Sequence, residues 1–201
     1  MVSGNGSVLK TLLRVTGNGG IDGKVVAVAS NKECPALMVA RDASIPAQAF
    51  VIDQFESRPA RDAAIAEFLT ANDVDFVVVG GYDEHLEETF FTDDLLPNII
   101  SMYPACLPAF GELDEAIGPA LDYGVKKIAV TIHYREPLSL SGGPIIAQEP
   151  LAVDIDDTVE AVTARVIELE SRFLPAVLTA FNQGRVTRDG HRVRVEGPIT
   201  V

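Results

Sequence analysis

The run Val74-Asp75-Phe76-Val77-Val78-Val79-Gly80 restricts the fold more than any other stretch of this chain. It is too short for a stable helix, rich in β-branched and aromatic residues, and apolar on both faces of a two-residue repeat. That combination predicts an interior strand of a parallel sheet, buried on both sides and lying mid-sheet. The residues before it alternate in the same sense. Lys24 to Ser30 reads as a β-branched strand and Pro35 to Ala43 as a helix with proline in its first turn. Ala49 to Ile52 reads as a short third strand, and Ser57 followed by Pro59 opens a helix that turns Ala63, Ala64, Ile65, Phe68 and Leu69 inward. This alternation predicts an α/β fold: a Rossmann-like, mostly parallel sheet with helices on both faces.

In open sheets of that kind ligands sit beyond the carboxyl ends of the strands, so the loops at those ends carry the functional expectation. Gly80 to Leu86 is one such loop. A second follows the apolar start Ile99-Ile100 and runs through Ser101 and Tyr103 to Phe110, punctuated by Pro104 and Pro108. Further on, Glu112 to Tyr123 is expected as a helix broken at Gly118-Pro119, and Lys126 to Tyr134 as a strand ending near His133. Ser139 to Pro144 is a glycine-rich turn leading into a strand that runs to Val153. A long amphipathic helix then starts near Asp156-Asp157-Thr158, carries Val159, Val162, Val166, Leu169 and Phe173, and meets Pro175. The tail, Arg185 to Val195, reads as a C-terminal hairpin turning at Asp189-Gly190. The expectation is one domain over 1–201, with residues 1–98 as its first half and 99–201 as its second.

The composition narrows the function classes. With 201 residues, 47% of them hydrophobic, the chain can bury a sizeable core. A net charge of −13 opposes nucleic-acid binding, which needs clustered Lys and Arg. No apolar run approaches the roughly 18 residues of a membrane span. Cys34 and Cys106 stand far apart, the three histidines form no metal-ligand spacing, and no signal peptide is apparent, so a reduced cytoplasm and no metal are expected.

Ser3-Gly4-Asn5-Gly6-Ser7 runs directly into Val8, Leu9, Leu12 and Leu13 at helical spacing. A glycine loop feeding a helix start presents free amides and the positive end of the helix dipole to an anion, here a phosphate on Gly4, Asn5, Gly6 and Ser7. It is not the dinucleotide fingerprint, because Leu9 holds the third glycine position and the next strand ends in Ser30-Asn31 rather than an acid. Only Met1 and Val2 precede the loop, whereas a strand of about five residues is usual there. An incomplete first strand, or one that begins upstream of Met1, is therefore expected.

Taken together, the chain resembles the glycinamide ribonucleotide formyltransferase family. The resemblance rests on Ser3 to Ser7, Ser30-Asn31-Lys32, Phe55-Glu56-Ser57-Arg58, Val77 to Tyr82, Pro104-Ala105-Cys106-Leu107-Pro108, Val130-Thr131-Ile132-His133 and Gly143-Pro144-Ile145-Ile146. Thr163 to Val166 and Glu170 five residues before Pro175 add to it. It implies a formyltransferase fold with a phosphate-loop half and a catalytic and folate half. It also implies a phosphoribosyl ligand held at Gly4 to Ser7 with Glu170 near its amine, and 10-formyltetrahydrofolate as cosubstrate. A homodimer is compatible with it.

Where the family carries Asn, His and Asp, this chain carries Ser101, Tyr103 and Ser141. The family's folate loop falls on Asp83-Glu84-His85-Leu86 after Tyr82, its Pro-Gly-x-His on Gly111-Glu112-Leu113-Asp114, and the asparagine closing its phosphate loop on Val8. Two hydroxyls and a phenol are a poor substitute for an acid–base set poised near neutrality, and losing such help typically costs about two to four orders of magnitude. Three readings follow. One is a transferase that recruits Tyr103, His133 or His85 for proton transfer. Another is a catalytically inactive ligand-binding or partner protein derived from that family. The third, a structural Rossmann-like domain with no ligand, is disfavoured because the glycine loop and Glu170 are both present.

Overall fold

The computed structural model describes residues 1–96, 98–113 and 115–201. The elements in order are α1 (Ser7–Gly17), β1 (Val28–Ser30), α2 (Pro35–Asp42), β2 (Ala47–Ala49), α3 (Arg58–Thr70), β3 (Val77–Val79), β4 (Ile99–Tyr103), α4 (Ile117–Tyr123), β5 (Lys127–Tyr134), β6 (Ile145–Ala152), α5 (Val159–Asn182), β7 (Val186–Asp189) and β8 (Arg192–Val195). β1 and β2 pair in parallel, as do β3 and β4, whereas β5 and β6 add on as antiparallel strands. Between the two parallel pairs lies only a stub. Val2 bridges Ser30 in parallel, its amide donates to Ala29 at 3.0 Å, and the Met1 amine donates to the Val78 carbonyl at 2.7 Å.

Helices cover both faces, and the pleat shows how. Val77, Val79 and Ile99 pack with Ile65, Ala66 and Leu69 of α3, while Ile100 and Met102 pack with Val162, Val166, Phe173 and Val177 of α5. Successive strand residues alternate between the two clusters because their side chains point to opposite sides of the sheet. Ser57 caps α3, its hydroxyl accepting from the Ala60 amide at 3.3 Å, and Thr158 caps α5 in the same way at 3.2 Å to Ala161; each cap contributes about 1 kcal/mol. Pro175 lies within α5 and has no N–H for the Ser171 carbonyl. Arg14 of α1 donates to that oxygen at 3.5 Å instead.

Several boundaries differ from the sequence reading. The strands expected over 24–30 and 74–80 contract to Val28–Ser30 and Val77–Val79, their leading residues having no strand between them to pair with. The third strand is Ala47–Ala49, and Ile52–Gln54 is a 3₁₀ turn. The helix expected from Glu112 begins at Ile117, so Gly118-Pro119 sits in its first turn rather than breaking it. In α3, Ala63, Ala64 and Phe68 are half-buried while Arg61, Asp62 and Ala66 are buried, which inverts part of the expected face. The hairpin turns where expected. No helix among the described residues is long and apolar enough to cross a membrane.

Candidate functional site

The loop before α1 is shaped by two close approaches. Gly6 adopts φ +73°, and a Cβ there would lie 2.8 Å from the Ala36 Cβ, so glycine alone fits between α1 and α2. A Cβ on Gly80 would lie 2.5 Å from the Val8 side chain. Val8 is therefore a packing residue that seats the helix start on the end of β3. Gly4, Asn5 and Ser7 are exposed, and the amides of Ser7, Val8 and Leu9 donate to no described residue. Glu170 of α5 shares a narrow cleft with Ser7, Val8 and Thr11, flanked by Ile167 and Leu174 one turn to either side. Burial there lifts its carboxyl to about 7.

The second region is built around Ser101 and Tyr103, which line a cavity of about 180 Å³ with Tyr82, Asp83, Arg135 and Leu140. Ser141 is not among the lining residues. Its hydroxyl donates to Glu112 at 2.9 Å and accepts from the Glu112 amide at 2.9 Å. Glu112 also takes the amides of Leu140 and Ser141 at 2.9 and 3.0 Å and the Ser139 hydroxyl. Although its partial burial opposes ionisation, these donors prevail and hold the carboxyl down at about 2. Sequence reading placed no role on Glu112, and Asp114 lies outside the described residues.

The remaining polar groups of this region are also turned onto the protein. The Ser101 hydroxyl donates to the Val79 carbonyl at 3.3 Å, and the Tyr103 hydroxyl lies 2.7 Å from the Leu113 carbonyl and accepts from the Leu113 amide at 2.9 Å. His133 faces Ser101 across the β4–β5 ladder and is fully buried. Its Nδ1 is 2.9 Å from two carbonyls, those of Tyr134 and Gly142, so the proton sits on Nδ1. Nε2 is buried with no partner among the described residues, and desolvation moves the ring below its ordinary range. Arg135, buried, donates from Nη1 to Leu140 at 2.5 Å and from Nη2 to the Glu84 carbonyl at 2.9 Å; desolvation lowers it to about 10. His85 is half-buried, its Nδ1 without a partner among the described residues, and the buried Leu86 carbonyl accepts from Leu138, tying the two loops together.

Asp83 and Glu84 form a charged network that sequence reading missed. Asn31 donates to Asp83 at 2.9 Å and to Glu84 at 2.7 Å, while Ser3 donates to Asn31 at 2.7 Å. Lys32 pairs with Asp83 at 2.5 Å. Arg61, without exposed surface, contacts Glu84 at 2.5 Å and Asp62 at 2.8 Å, and Asp62 accepts from the Glu87 amide. Burial works against the charges of Asp83 and Glu84, yet the bonds from Lys32, Arg61 and Asn31 outweigh it and both carboxyls stay below their usual range. Among the described residues no group of three or more His, Cys, Asp or Glu side chains could hold a metal ion.

Residues 1–178 match the family described as formyl transferase. The chain belongs to that family. It is 32% identical to the phosphoribosylglycinamide formyltransferase of Mycobacterium tuberculosis, over all of this chain and 92% of the relative. Against the enzyme of the same name from Bacillus subtilis it is 30% identical, over 88% of this chain and 89% of that one. Among solved structures, glycinamide ribonucleotide transformylase 1 from Symbiobacterium toebii superposes with a TM-score of 0.90 at 35% identity, covering 96% of this chain and 91% of that one.

Proposed function

We propose that this chain is a glycinamide ribonucleotide formyltransferase-like protein of purine biosynthesis type that binds a phosphoribosyl amine, and that it does not run formyl transfer through an acid–base set like the family's. The first part is carried by Glu170: a carboxyl poised near neutrality in the same cleft as the free amides of α1. That arrangement offers a phosphate the Gly4 to Ser7 loop and an amine the carboxylate, on one ligand. Relatives across the whole chain carry the name phosphoribosylglycinamide formyltransferase, which supplies the ligand class.

The second part rests on the polar groups around Ser101. Attack of an amine on the formyl carbon of 10-formyltetrahydrofolate, the donor used in the family, requires a proton acceptor for the amine and a hydrogen-bond donor for the developing oxyanion. Ser101 and Ser141 spend their hydroxyls on protein groups, Tyr103 bonds the Leu113 backbone, and the free nitrogen of His133 is sealed from solvent. The loop at 83–86, onto which the resemblance places the folate loop, is closed by ion pairs to Lys32 and Arg61.

Calorimetry with glycinamide ribonucleotide and, separately, with a folate tests both parts. The nucleotide is expected to bind and the folate not to. Gly4→Val, at an exposed position where an added Cβ meets nothing within 4 Å, should weaken nucleotide binding while the circular dichroism spectrum stays folded; unchanged affinity removes the phosphate assignment. Formyl-transfer assays should give rates at least about a hundredfold below those of relatives. Robust turnover that survives replacement of His133, His85 and Tyr103 in turn would overturn the catalytic part. The triple change Ser101→Asn, Tyr103→His, Ser141→Asp should rescue little, because the 83–86 loop differs as well.

A further inference from the structure

The Ser101 cavity holds a cation that pairs with no carboxylate among the described residues. Arg135 follows directly on β5, where its amide donates to the Ile99 carbonyl at 2.9 Å, and it lines the cavity while only 4% exposed. A guanidinium carries five N–H donors. Nη1 spends one on the Leu140 carbonyl at 2.5 Å and Nη2 one on the Glu84 carbonyl at 2.9 Å, while Nε is buried with no partner among the described residues. The surrounding carboxylates are committed elsewhere: Asp83 to Lys32 at 2.5 Å, Glu84 to Arg61 at 2.5 Å, and Glu112 to the 139–141 loop. A buried charge is costly unless it is paired, and desolvation already weakens the hold of Arg135 on its proton. Two further donors stand beside it. The Tyr82 hydroxyl is buried with no partner among the described residues, and Ser101 reaches the Val79 carbonyl only at 3.3 Å, long for a hydroxyl bond.

We propose that the Ser101 cavity is a binding site for a small monocarboxylate, whose two oxygens take N–H groups of Arg135 left over from Leu140 and Glu84, with the Ser101 hydroxyl as a further donor. The planar guanidinium fork matches the two oxygens of a carboxylate. Charge decides against a phosphate. One unpaired cation balances one negative charge, and a phosphate group near neutrality carries more, beside the Asp83 carboxylate that also lines the cavity. Size limits the rest of the ligand: about 180 Å³ is well below the roughly 300–1,000 Å³ of sites for drug-sized molecules, so the acid has only a few non-hydrogen atoms. Val79, Met102, Pro104, Leu113 and Leu140 offer its body an apolar wall, which suits a short alkyl acid such as acetate or propionate. The site uses none of Gly4 to Ser7 or Glu170, so it goes beyond the nucleotide reading and stands without it.

The test uses the full 201-residue protein with nitrogen-labelled arginine and no nucleotide, titrated with sodium acetate, propionate, phosphate and chloride at matched ionic strength. The Arg135 Nε–H resonance, identified by its loss in Arg135→Lys, and the thermal midpoint are read for each. Acetate and propionate are expected to shift that resonance saturably and, in large excess, to raise the midpoint by about 4 °C or more. Chloride should do neither, and phosphate should bind at least about tenfold more weakly. Arg135→Met should abolish the midpoint gain, and Arg135→Lys, which keeps the charge but not the fork, should weaken acetate by about tenfold or more. If Arg135→Met does not fold, Ser101→Val decides, since it leaves the guanidinium in place while removing a donor and narrowing the cavity; it too should lose about tenfold in affinity. No saturable shift, a midpoint gain that survives Arg135→Met, or undiminished affinity in Ser101→Val would overturn the proposal. Phosphate binding as tightly as acetate would overturn the monocarboxylate assignment and make the cavity a general anion site.

Discussion

The two polar regions of this molecule differ in where their hydrogen bonds end. At the helix start, the amides of Ser7, Val8 and Leu9 are unclaimed and Glu170 stands near its titration point. Around Ser101, Tyr103 and Ser141 the hydroxyls bond the protein's own backbone or Glu112, and the neighbouring carboxyls are held ionised by Lys32, Arg61 and the backbone. A group already satisfied within the fold must break that bond before it can serve a ligand or a transition state, at a cost comparable to the bond itself. The contrast teaches that one polar region of a fold can keep its donors open while the adjoining one is bonded into the scaffold.

The largest expected effect is in that scaffold. Replacing Arg61 by Met strands Asp62, which has no exposed surface, and takes from Glu84 its closest cation. Removing one partner of a buried ion pair typically costs about 3–5 kcal/mol, and urea unfolding should show a loss of that size. Nucleotide binding by the molecules that remain folded should be little changed. A loss below about 1 kcal/mol would mean that the charges around Glu84 are solvated and that the closed region is closed in appearance only.

Next come two pH effects of opposite sign. The Met1 amine falls from 8.0 to about 5 in the fold, so the folded state binds fewer protons. Its penalty is absent above pH 8, grows as pH falls, and is complete near pH 5, at up to about 4 kcal/mol. Glu170 rises from 4.5 to about 7, so its penalty is absent below pH 4.5 and complete above pH 7. Its side of α5 is only half-buried, and solvent screening reduces that penalty to about 1–2 kcal/mol. N-terminal acetylation should remove the first slope and Glu170→Gln the second, measured as unfolding free energy between pH 4.5 and 8.5. If Glu170→Gln leaves the profile unchanged, the carboxyl is not poised near neutrality and the open region loses its amine partner.

What the sequence could disclose follows the range of each interaction. Strands Ile99–Tyr103 and Lys127–Tyr134, the caps Ser57 and Thr158, and the turn at Asp189-Gly190 are written in neighbouring residues, and local reading finds them. Arg61-Asp62 reads locally as the wet face of a helix; its burial depends on Glu84, which lies 23 residues away. Val25 to Ala27 has the composition of a strand but lacks the neighbour that would make it one. The helix expected from Glu112 starts five residues later because Phe110 and Glu112 take left-handed φ of 55° and 59°, and the Glu112 carboxylate is spent on the 139–141 loop. Of the candidate site, the glycine loop and Glu170 were legible as a pair. That Ser141 would face Glu112 rather than the Ser101 cavity was not, since nothing near either residue in the chain announces the contact.

The smallest expected effect tests that last contact. Glu112 is exposed, so although its carboxyl is held at about 2, water competes for each bond and the net worth of the cluster should be about 1 kcal/mol. Because the folded value lies below the ordinary 4.5, this contribution is fully present above pH 4.5 and fades as pH falls towards 2. Glu112→Ala should therefore be less stable than the parent at pH 6 and indistinguishable from it at pH 2, provided both remain folded in the absence of denaturant. The same variant frees the amides of Leu140 and Ser141, and their hydrogen exchange should accelerate while that of Ser7, Val8 and Leu9 stays as fast as before. Acceleration at both places would show that the two regions share one local unfolding unit, and the comparison between an open and a closed half would then describe hydrogen bonding but not independent behaviour. Acceleration confined to 139–141 would make Glu112 the clasp of the closed half alone, which is what its bonds to Ser139, Leu140 and Ser141, and to nothing near the glycine loop, lead one to expect.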